Sequence, residues 1–240
     1  MIILACIAIV IIYLIYKKYK DYSQTINGIE TKLIDGKKNA QTAIVIPRNT
    51  LPNVRIGKEM TIHFWIYIRD WNYNFTKPKH IIHFGDKDAN SSSPGVWLQP
   101  KDNGLIVRFD NPSRQKGISM NPLTNPAMIG EKKECDVVNI PLQRWNHLAI
   151  VLANKTLDVY LNGKLERSCT TDEIPLENSG DVYINNFGGY DGEIANVMFL
   201  NKAMSSSDIY ANYYKGFNDM NLWKQFKSLL PSIQVSFSTQ

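Results

Sequence analysis

Three groups of residues in this 240-residue chain are of types that could do chemistry, and each would do a different kind. The first is the loop Gly85-Asp86-Lys87-Asp88-Ala89-Asn90-Ser91-Ser92-Ser93, which offers Asp86, Asp88 and Asn90 directly after a β-type run. Hard cations want several oxygen ligands held by one loop, so these three are candidate calcium ligands. Lys87 interrupts the acids and the spacing is not a calcium-loop consensus, which leaves a polar surface loop as the competing reading. The second group is Glu134-Cys135-Asp136. Glycoside hydrolysis needs two carboxylates facing each other across the scissile bond, yet here Val137, Val138 and Asn139 follow with no third acid. The segment reads as a turn beside a cysteine. The third group is the histidines. His63 falls on the strand face opposite Ile62 and Phe64, and His80 and His83, three apart on an expected strand, should point to opposite faces and be unable to grip a metal together. His147, close to Trp145, reads as a hydrogen-bonded sheet residue. No catalytic set emerges, and a non-enzymatic protein is expected.

The elements that must position these residues are mostly strands. Met60 to Ile68 is a long aromatic and β-branched run in which Ile62, Phe64, Ile66 and Ile68 share one face. Further runs cover Thr42 to Ile46, His80 to Phe84, Gly95 to Leu98, Leu105 to Phe109, His147 to Leu152, Thr156 to Leu161, Val182 to Asn185 and Ile194 to Leu200. So many short strands without alternating helices argue for an all-β sandwich or jelly roll. A turn at Ala153-Asn154-Lys155-Thr156 and the Asn-Gly pair at Asn162-Gly163 predict a meander, with Leu165 to Cys169 returning as a strand. Two helical patches interrupt the pattern. Ser205, with Asp208 three residues on, predicts a helix start running to a stop at Gly216, and Met220, Trp223, Phe226 and Leu230 recur at helical spacing. The latter helix would either dock on a partner or pack against its own sandwich.

Ahead of all this stands an apolar run. From Ile2 to Tyr16 there is no charge, Gly or Pro, and Lys17, Lys18 and Lys20 close it. As a helix this run spans roughly 22 Å at 1.5 Å per residue, slightly short of the ~30 Å hydrocarbon thickness. Tyr19 and Tyr22 can extend it at headgroup level while the lysines snorkel outward. A single-pass anchor is expected in preference to a cleaved signal peptide, because no basic stretch precedes the run and no small-residue site closes it. The basic C-terminal flank puts the large domain on the cytosolic side. Asn74, Asn90 and Asn154 head potential glycosylation triplets that would matter only in the opposite orientation.

The net charge of +5 is mild, the basic residues are scattered, and neither an RNA-binding aromatic signature nor zinc spacing occurs, so no nucleic-acid partner is expected. Of the three cysteines Cys6 lies in the anchor, leaving Cys135 and Cys169 as the only intradomain pair. A cytosolic domain would keep them reduced, and the residues alone leave thiols and disulfide both open.

Five motifs in order carry a family likeness: Thr61 to Ile68, Pro94-Gly95-Val96-Trp97-Leu98, Trp145 to Val151, Leu157 to Lys164, and Gly188-Gly189-Tyr190-Asp191-Gly192-Glu193-Ile194. Together they resemble the laminin G-like and pentraxin-like group of concanavalin A-like domains, over roughly Ile44 to Tyr214. The resemblance implies a jelly-roll sandwich of two antiparallel sheets, with the Asn162-Gly163 hairpin and a Gly192 turn as landmarks and a rim loop in which Asp86 could hold calcium. With Asp70-Trp71-Asn72-Tyr73 and Cys135 ahead of Ile140-Pro141-Leu142, the chain is similar to membrane-anchored versions encoded by large DNA viruses of eukaryotes. In that resemblance Cys135 and Cys169 are a bridged pair, and such viruses commonly bring a thiol oxidase that reconciles a disulfide with a cytosolic face.

The expected organisation is an anchor over 1–22, a linker and first strand over 23–41, the jelly roll over 42–216, and an amphipathic helix and tail over 217–240. The expected function is membrane-anchored recognition of a protein or glycan, in a virion membrane or against a capsid. A secreted lectin-like module and a divergent glycoside hydrolase are the alternatives.

Overall fold

In the strand Met60–Asp70 every second side chain is apolar and inward, and that alternation organises the whole domain. The computed structural model describes residues 10–18, 28–52, 59–110, 112, 117–129, 135–171, 173–176 and 178–216. Its strands are β1 (Glu30–Asn39), β2 (Ile44–Ile46), β3 (Met60–Asp70), β4 (Lys79–Gly85), β5 (Ser92–Leu98), β6 (Leu105–Arg108), β7 (Trp145–Ala153), β8 (Thr156–Leu161), β9 (Lys164–Thr170), β10 (Asp181–Ile184) and β11 (Asp191–Leu200). They form a six-stranded sheet ordered β1-β11-β3-β7-β8-β9 and a five-stranded sheet ordered β2-β10-β4-β5-β6. All the pairings are antiparallel, as the jelly-roll reading requires.

The core lies between the sheets. Ile62, Phe64, Ile66 and Ile68 of β3 meet Ile82, Phe84, Val96, Leu98 and Val107 of the facing sheet. Each such side chain contributes about 1.5–3 kcal/mol on leaving water. β1, in the segment expected to hold a first strand, pairs along β11 and closes one edge of the larger sheet. Asn162 and Gly163 both have positive φ, +52° and +79°, the geometry of a type I′ turn, and join β8 to β9. The Gly192 landmark needs correcting: Gly192 sits inside β11, not in a turn, and a Cβ there would lie 1.9 Å from the Tyr67 carbonyl oxygen of β3. It is a close-approach glycine between paired strands.

Helix α1 covers residues 10–18 and α2 is Ser206–Lys215. The Ser205 hydroxyl accepts from the Asp208 amide and Gly216 ends α2 at φ +77°, as the capping pattern predicts. Ile209 of α2 packs on Ala149, Val151 and Tyr160, covering the outer face of the six-stranded sheet. Along α1, Val10 to Tyr16 are 50–66% exposed, with Lys17 and Lys18 beyond them. Among the described residues no helix is long and apolar enough to cross a membrane. Ile2 and Lys20, like the expected helix through Met220, Trp223, Phe226 and Leu230, lie outside the described residues.

Candidate functional site

The β5–β6 hairpin and the chain after Cys135 border an open cleft of about 910 Å³ with mixed polar and apolar walls. Within the hairpin the Gln99 amide donates to the Gly104 carbonyl at 2.9 Å, and the Gly104 amide donates to the Asp102 carbonyl at 2.7 Å. Residues 137–140 run alongside: Leu105 and Val137 exchange both backbone bonds, and the Ile140 amide donates to the Asn103 carbonyl at 2.7 Å. The Cys135–Cys169 disulfide, with Cα atoms 5.8 Å apart, ties the start of this segment to β9. Sequence resemblance implied that bond, and the structure contains it.

At the cleft wall Asp136 is buried and doubly held by Arg108, whose Nη1 donates to Oδ1 and whose Nη2 donates to Oδ2 at 3.0 Å. Gln99 Nε2 adds a bond to Oδ2 at 3.2 Å, and Arg167 Nε reaches the Asp136 carbonyl at 3.1 Å. Arg108 also donates to the Val107 and Met128 carbonyls. A planar guanidinium matched to one carboxylate in this way makes a rigid anchor. Asn103 Nδ2 donates to the Ile140 carbonyl at 3.2 Å. Among the described residues Asp102, Lys101, Pro100, Asn139 and the apolar Ile129 and Val138 also line it. Sequence reasoning met Asp136 only as a failed hydrolase residue. The chemistry agrees, since both its oxygens are engaged, while Glu134 lies outside the described residues.

The expectation for His80 and His83 fails in an informative way. Their rings meet, His80 Nε2 to His83 Nδ1 at 2.7 Å. The β4–β5 pairing slips between His80 and Ile82, so one extra residue of β4 is absorbed and both histidines share the outer face, His80 against Trp97 and His83 against Tyr183. The Asn186 amide donates to His80 Nδ1 at 2.9 Å, so His80 carries its proton on Nε2 and donates it to His83 Nδ1. His83 Nε2 must then donate to the Asp86 carbonyl at 2.8 Å. All four ring nitrogens are engaged. Burial holds both pKa values below the ordinary imidazole value, His80 well below, and the neutral rings form a strut under loop 86–91. Phe187 stacks on Trp97 at 5.4 Å and Tyr183 on His83 at 4.9 Å, covering the strut.

The calcium candidates lie on that loop. The Asp86 carboxylate accepts the Ser91 amide at 2.6 Å through Oδ1 and the Asn90 amide at 3.3 Å through Oδ2. Asn90 Oδ1 accepts from the Ser119 hydroxyl at 2.6 Å, and the Asp88 carbonyl accepts from Asn121 Nδ2 at 2.8 Å. The loop thus uses these residues to close on itself. Among the described residues no three His, Cys, Asp or Glu side chains gather as a metal cluster.

His63 and His147 form a second pair, beneath α2. His147 Nε2 lies 3.3 Å from His63 Nδ1, and His63 Nε2 lies 3.5 Å from Glu30 Oε1. Burial, then the neighbouring His63, pushes His147 down to about 3, and its Nδ1 has no partner among the described residues. The His63 hydrogen bond holds the Glu30 carboxyl below its usual range. Sequence reasoning also passed over Lys79, buried with its ammonium 4.7 Å from the Trp71 ring centroid and its pKa lowered by burial to about 8.

Comparison with solved structures gives likenesses to the receptor binding domain of botulinum neurotoxin C/D mosaic serotype (TM-score 0.52, 16% identity, 79% of this chain and 47% of that one). The botulinum neurotoxin serotype D binding domain aligns at TM-score 0.51 and 16% identity, over 79% of this chain and 43% of that one. The binding domain of Paraclostridial Mosquitocidal Protein 1 aligns at TM-score 0.50 and 14% identity, over 80% and 48%. The chain spans less than half the length of these solved chains, and at such identities the likeness is one of fold. No curated protein matches the chain. A laminin G family model, described as the concanavalin A-like lectin/glucanases superfamily, matches residues 38–210. That match takes in β2 to β11 and the first half of α2, and on its strength the chain belongs to the concanavalin A-like lectin/glucanase superfamily, in its laminin G-like branch.

Proposed function

We propose that this chain is a non-enzymatic recognition module that binds a glycan in the cleft beside β6 and is tethered to a membrane through the segment from Ile2 to Lys20. The cleft carries the reading. Its 910 Å³ is ligand-sized, and it sets amides and a carboxylate beside Ile129 and Val138, the mixture that engages the hydroxyls and the C–H face of a sugar ring. The family contains lectins and glucanases, and the fold neighbours carry the descriptions binding domain and receptor binding domain. Hydrolysis is disfavoured because Asp136 is committed through both oxygens to Arg108, which leaves it ill-suited to act as a proton-donating acid.

The tether is supported by seven consecutive apolar side chains, Val10 to Tyr16, each at least half exposed along α1, a surface that calls for lipid or another apolar partner. Lys17, Lys18 and Lys20 favour a domain facing the cytosol or the inside of a capsid, and the resemblance to large-DNA-virus proteins favours a virion membrane as the setting. A glycan array probed with the full chain in detergent tests the recognition reading. Binding should occur and be lost on Asn139→Ala. A silent array, with a single protein recovered by cross-linking through the same cleft, would replace the glycan with a protein partner. Protease protection of the C-terminal domain in intact particles or vesicles tests the tether, and glycans on Asn74, Asn90 or Asn154 would overturn its orientation.

A further inference from the structure

The cleft wall at Pro100 leads onto a second surface that carries exposed phenyl rings. The Pro100 carbonyl accepts the Thr76 amide at 3.3 Å and the Lys79 ammonium at 3.5 Å, which fastens the loop between β3 and β4 to the cleft lining. Phe75, one residue before the first of these bonds, is 50% exposed. Two turns hold it: the Phe75 amide donates to the Asn72 carbonyl and the Lys77 amide to the Asn74 carbonyl, both at 3.0 Å. The Tyr73 hydroxyl donates to the Gly188 carbonyl at 2.9 Å and so joins this loop to the turn after β10. In that turn the Gly189 amide donates to the Asn186 carbonyl at 3.0 Å, and Phe187 is 41% exposed while its ring stacks on Trp97 at 5.4 Å.

Both rings are presented at a cost to the backbone. Phe187 has φ +56° at a turn position that Asn or Gly fills without strain, and Thr76 has φ +75° where a turn of this kind favours Gly. A bulky or β-branched residue persists in the left-handed region only where its surroundings over-determine it, and such residues gather at ligand sites. The exposed amides of Asn72 and Asn74 flank Phe75, and Asn186 adjoins Phe187. Flat apolar faces set among amides match a pyranose ring, which offers a C–H face for stacking and hydroxyls around its edge.

We propose that Phe75 and Phe187 are stacking subsites that extend the cleft along this end of the sandwich, so that its ligand is an oligosaccharide of three or more units rather than a single terminal sugar. The inference rests on the glycan reading of the cleft. The cleft holds one end of the chain, and the Phe75 ring, fixed by its two turns and by the Pro100 carbonyl, receives the units that emerge past Pro100. Because the rings are already held in place, stacking adds affinity with little ordering cost.

The test is calorimetric titration of the full chain, in a detergent without a sugar headgroup, with gluco- and galacto-oligosaccharides of one to six units. Within the series that binds, affinity should rise at least tenfold between two and four units. Phe75→Ala should weaken the four-unit ligand about tenfold, leave the one- and two-unit ligands unchanged, and leave the thermal midpoint unmoved, since the ring is half exposed. Phe75→Tyr should bind as the parent does, because it keeps the ring face. Asn139→Ala, in the cleft, should weaken every length alike. Affinity that does not change with length, or a four-unit ligand indifferent to Phe75→Ala, would overturn the subsites while leaving the cleft a glycan site. Full affinity in Phe75→Leu would overturn the stacking role. Failure of every length to bind would overturn the glycan reading and this inference with it.

Discussion

Acidification should unfold this domain through a ring that never meets solvent. His147 is fully buried between β7 and α2, with a pKa of about 3 against 6.5 in an unfolded chain. The groups facing it are His63 on β3, then Glu30 on β1, with Lys215 of α2 acting on Glu30. Because the folded-state value is depressed, the native state binds fewer protons than the unfolded state below pH 6.5. The stability is therefore complete above about pH 6.5 and is lost as pH falls toward 3. Each unit of pH in that window costs about 1.4 kcal/mol, so His147 alone removes about 2 kcal/mol at pH 5 and about 3 kcal/mol at pH 4.5. His147→Leu removes the titrating ring at similar volume. At pH 7 it should cost about 1 kcal/mol for the lost His63 bond. Urea denaturation between pH 7 and 4.5 should show the variant's stability falling less steeply, with the two curves crossing below pH 6 and the variant the more stable at pH 5. Parallel curves for wild type and variant across the range would refute the reasoning, since His147 would then exchange its proton equally in both states.

Other perturbations follow from single contacts. Replacing Cys135 and Cys169 together by Ala releases a closed loop of 34 residues and should lower stability by about 4 kcal/mol in the loop-entropy relation, read as a drop in the urea midpoint with an unchanged native spectrum. Gly192→Ala drives a methyl to 1.9 Å from the Tyr67 carbonyl, so β3 and β11 must separate, and soluble yield should collapse, much further than for Gly36→Ala, whose Cβ meets nothing within 4 Å and which bears only the strain of its φ of +67°. Asp86→Ala removes the caps on the Asn90 and Ser91 amides and should cost about 1–2 kcal/mol in the absence of any metal. A calcium ion held by Asp86, Asp88 and Asn90 would raise the wild-type midpoint and leave that of Asp86→Ala unmoved, which separates a ligand role from the capping role.

The sandwich was legible because its core obeys a period of two: the faces of β3 and β7 can be read off Ile62, Phe64, Ile66 and Ile68, and Leu148, Ile150 and Leu152. Helix α2 was legible through its caps, Ser205 and Gly216, which act within a few residues. The histidine strut was not legible, because a bulge between His80 and Ile82 breaks that period, and nothing in His80-Ile81-Ile82-His83 distinguishes a bulged strand from a regular one. Ile81 and Ile82 are both fully buried across the break. The cleft was hidden for a different reason. Gln99, Asn103 and Asp136 acquire meaning only from partners 37 residues away, Asp136 for the first and Ile140 for the second. Contacts at that separation leave no periodicity in one sequence.

The outer faces of the two sheets solve the same physical problem in different ways, and the difference bears on where recognition sits. Each outer face carries buried imidazoles, whose polar atoms must be satisfied after leaving water. Over the five-stranded sheet all four nitrogens of His80 and His83 are bonded, so the cover formed by loop 86–91 and Phe187 is locked on a rigid base. Over the six-stranded sheet the relay from Glu30 through His63 ends at His147 with one nitrogen unpartnered among the described residues, and α2 lies across it, Tyr213 stacked on Trp65 at 5.9 Å. The His80–His83 pair leaves no ring nitrogen without a partner, whereas the pair under α2 leaves His147 Nδ1 without one among the described residues, a deficit that opening would relieve. A binding cleft needs preorganised walls. The cleft beside β6 is pinned by Arg108, Asp136 and the Cys135–Cys169 bond, although Arg108 Nε itself is buried without an acceptor among the described residues. Rigidity is what recommends the β6 cleft for the proposed recognition, while acid sensitivity is shared by both outer faces, since burial depresses His80 and His83 as it does His147.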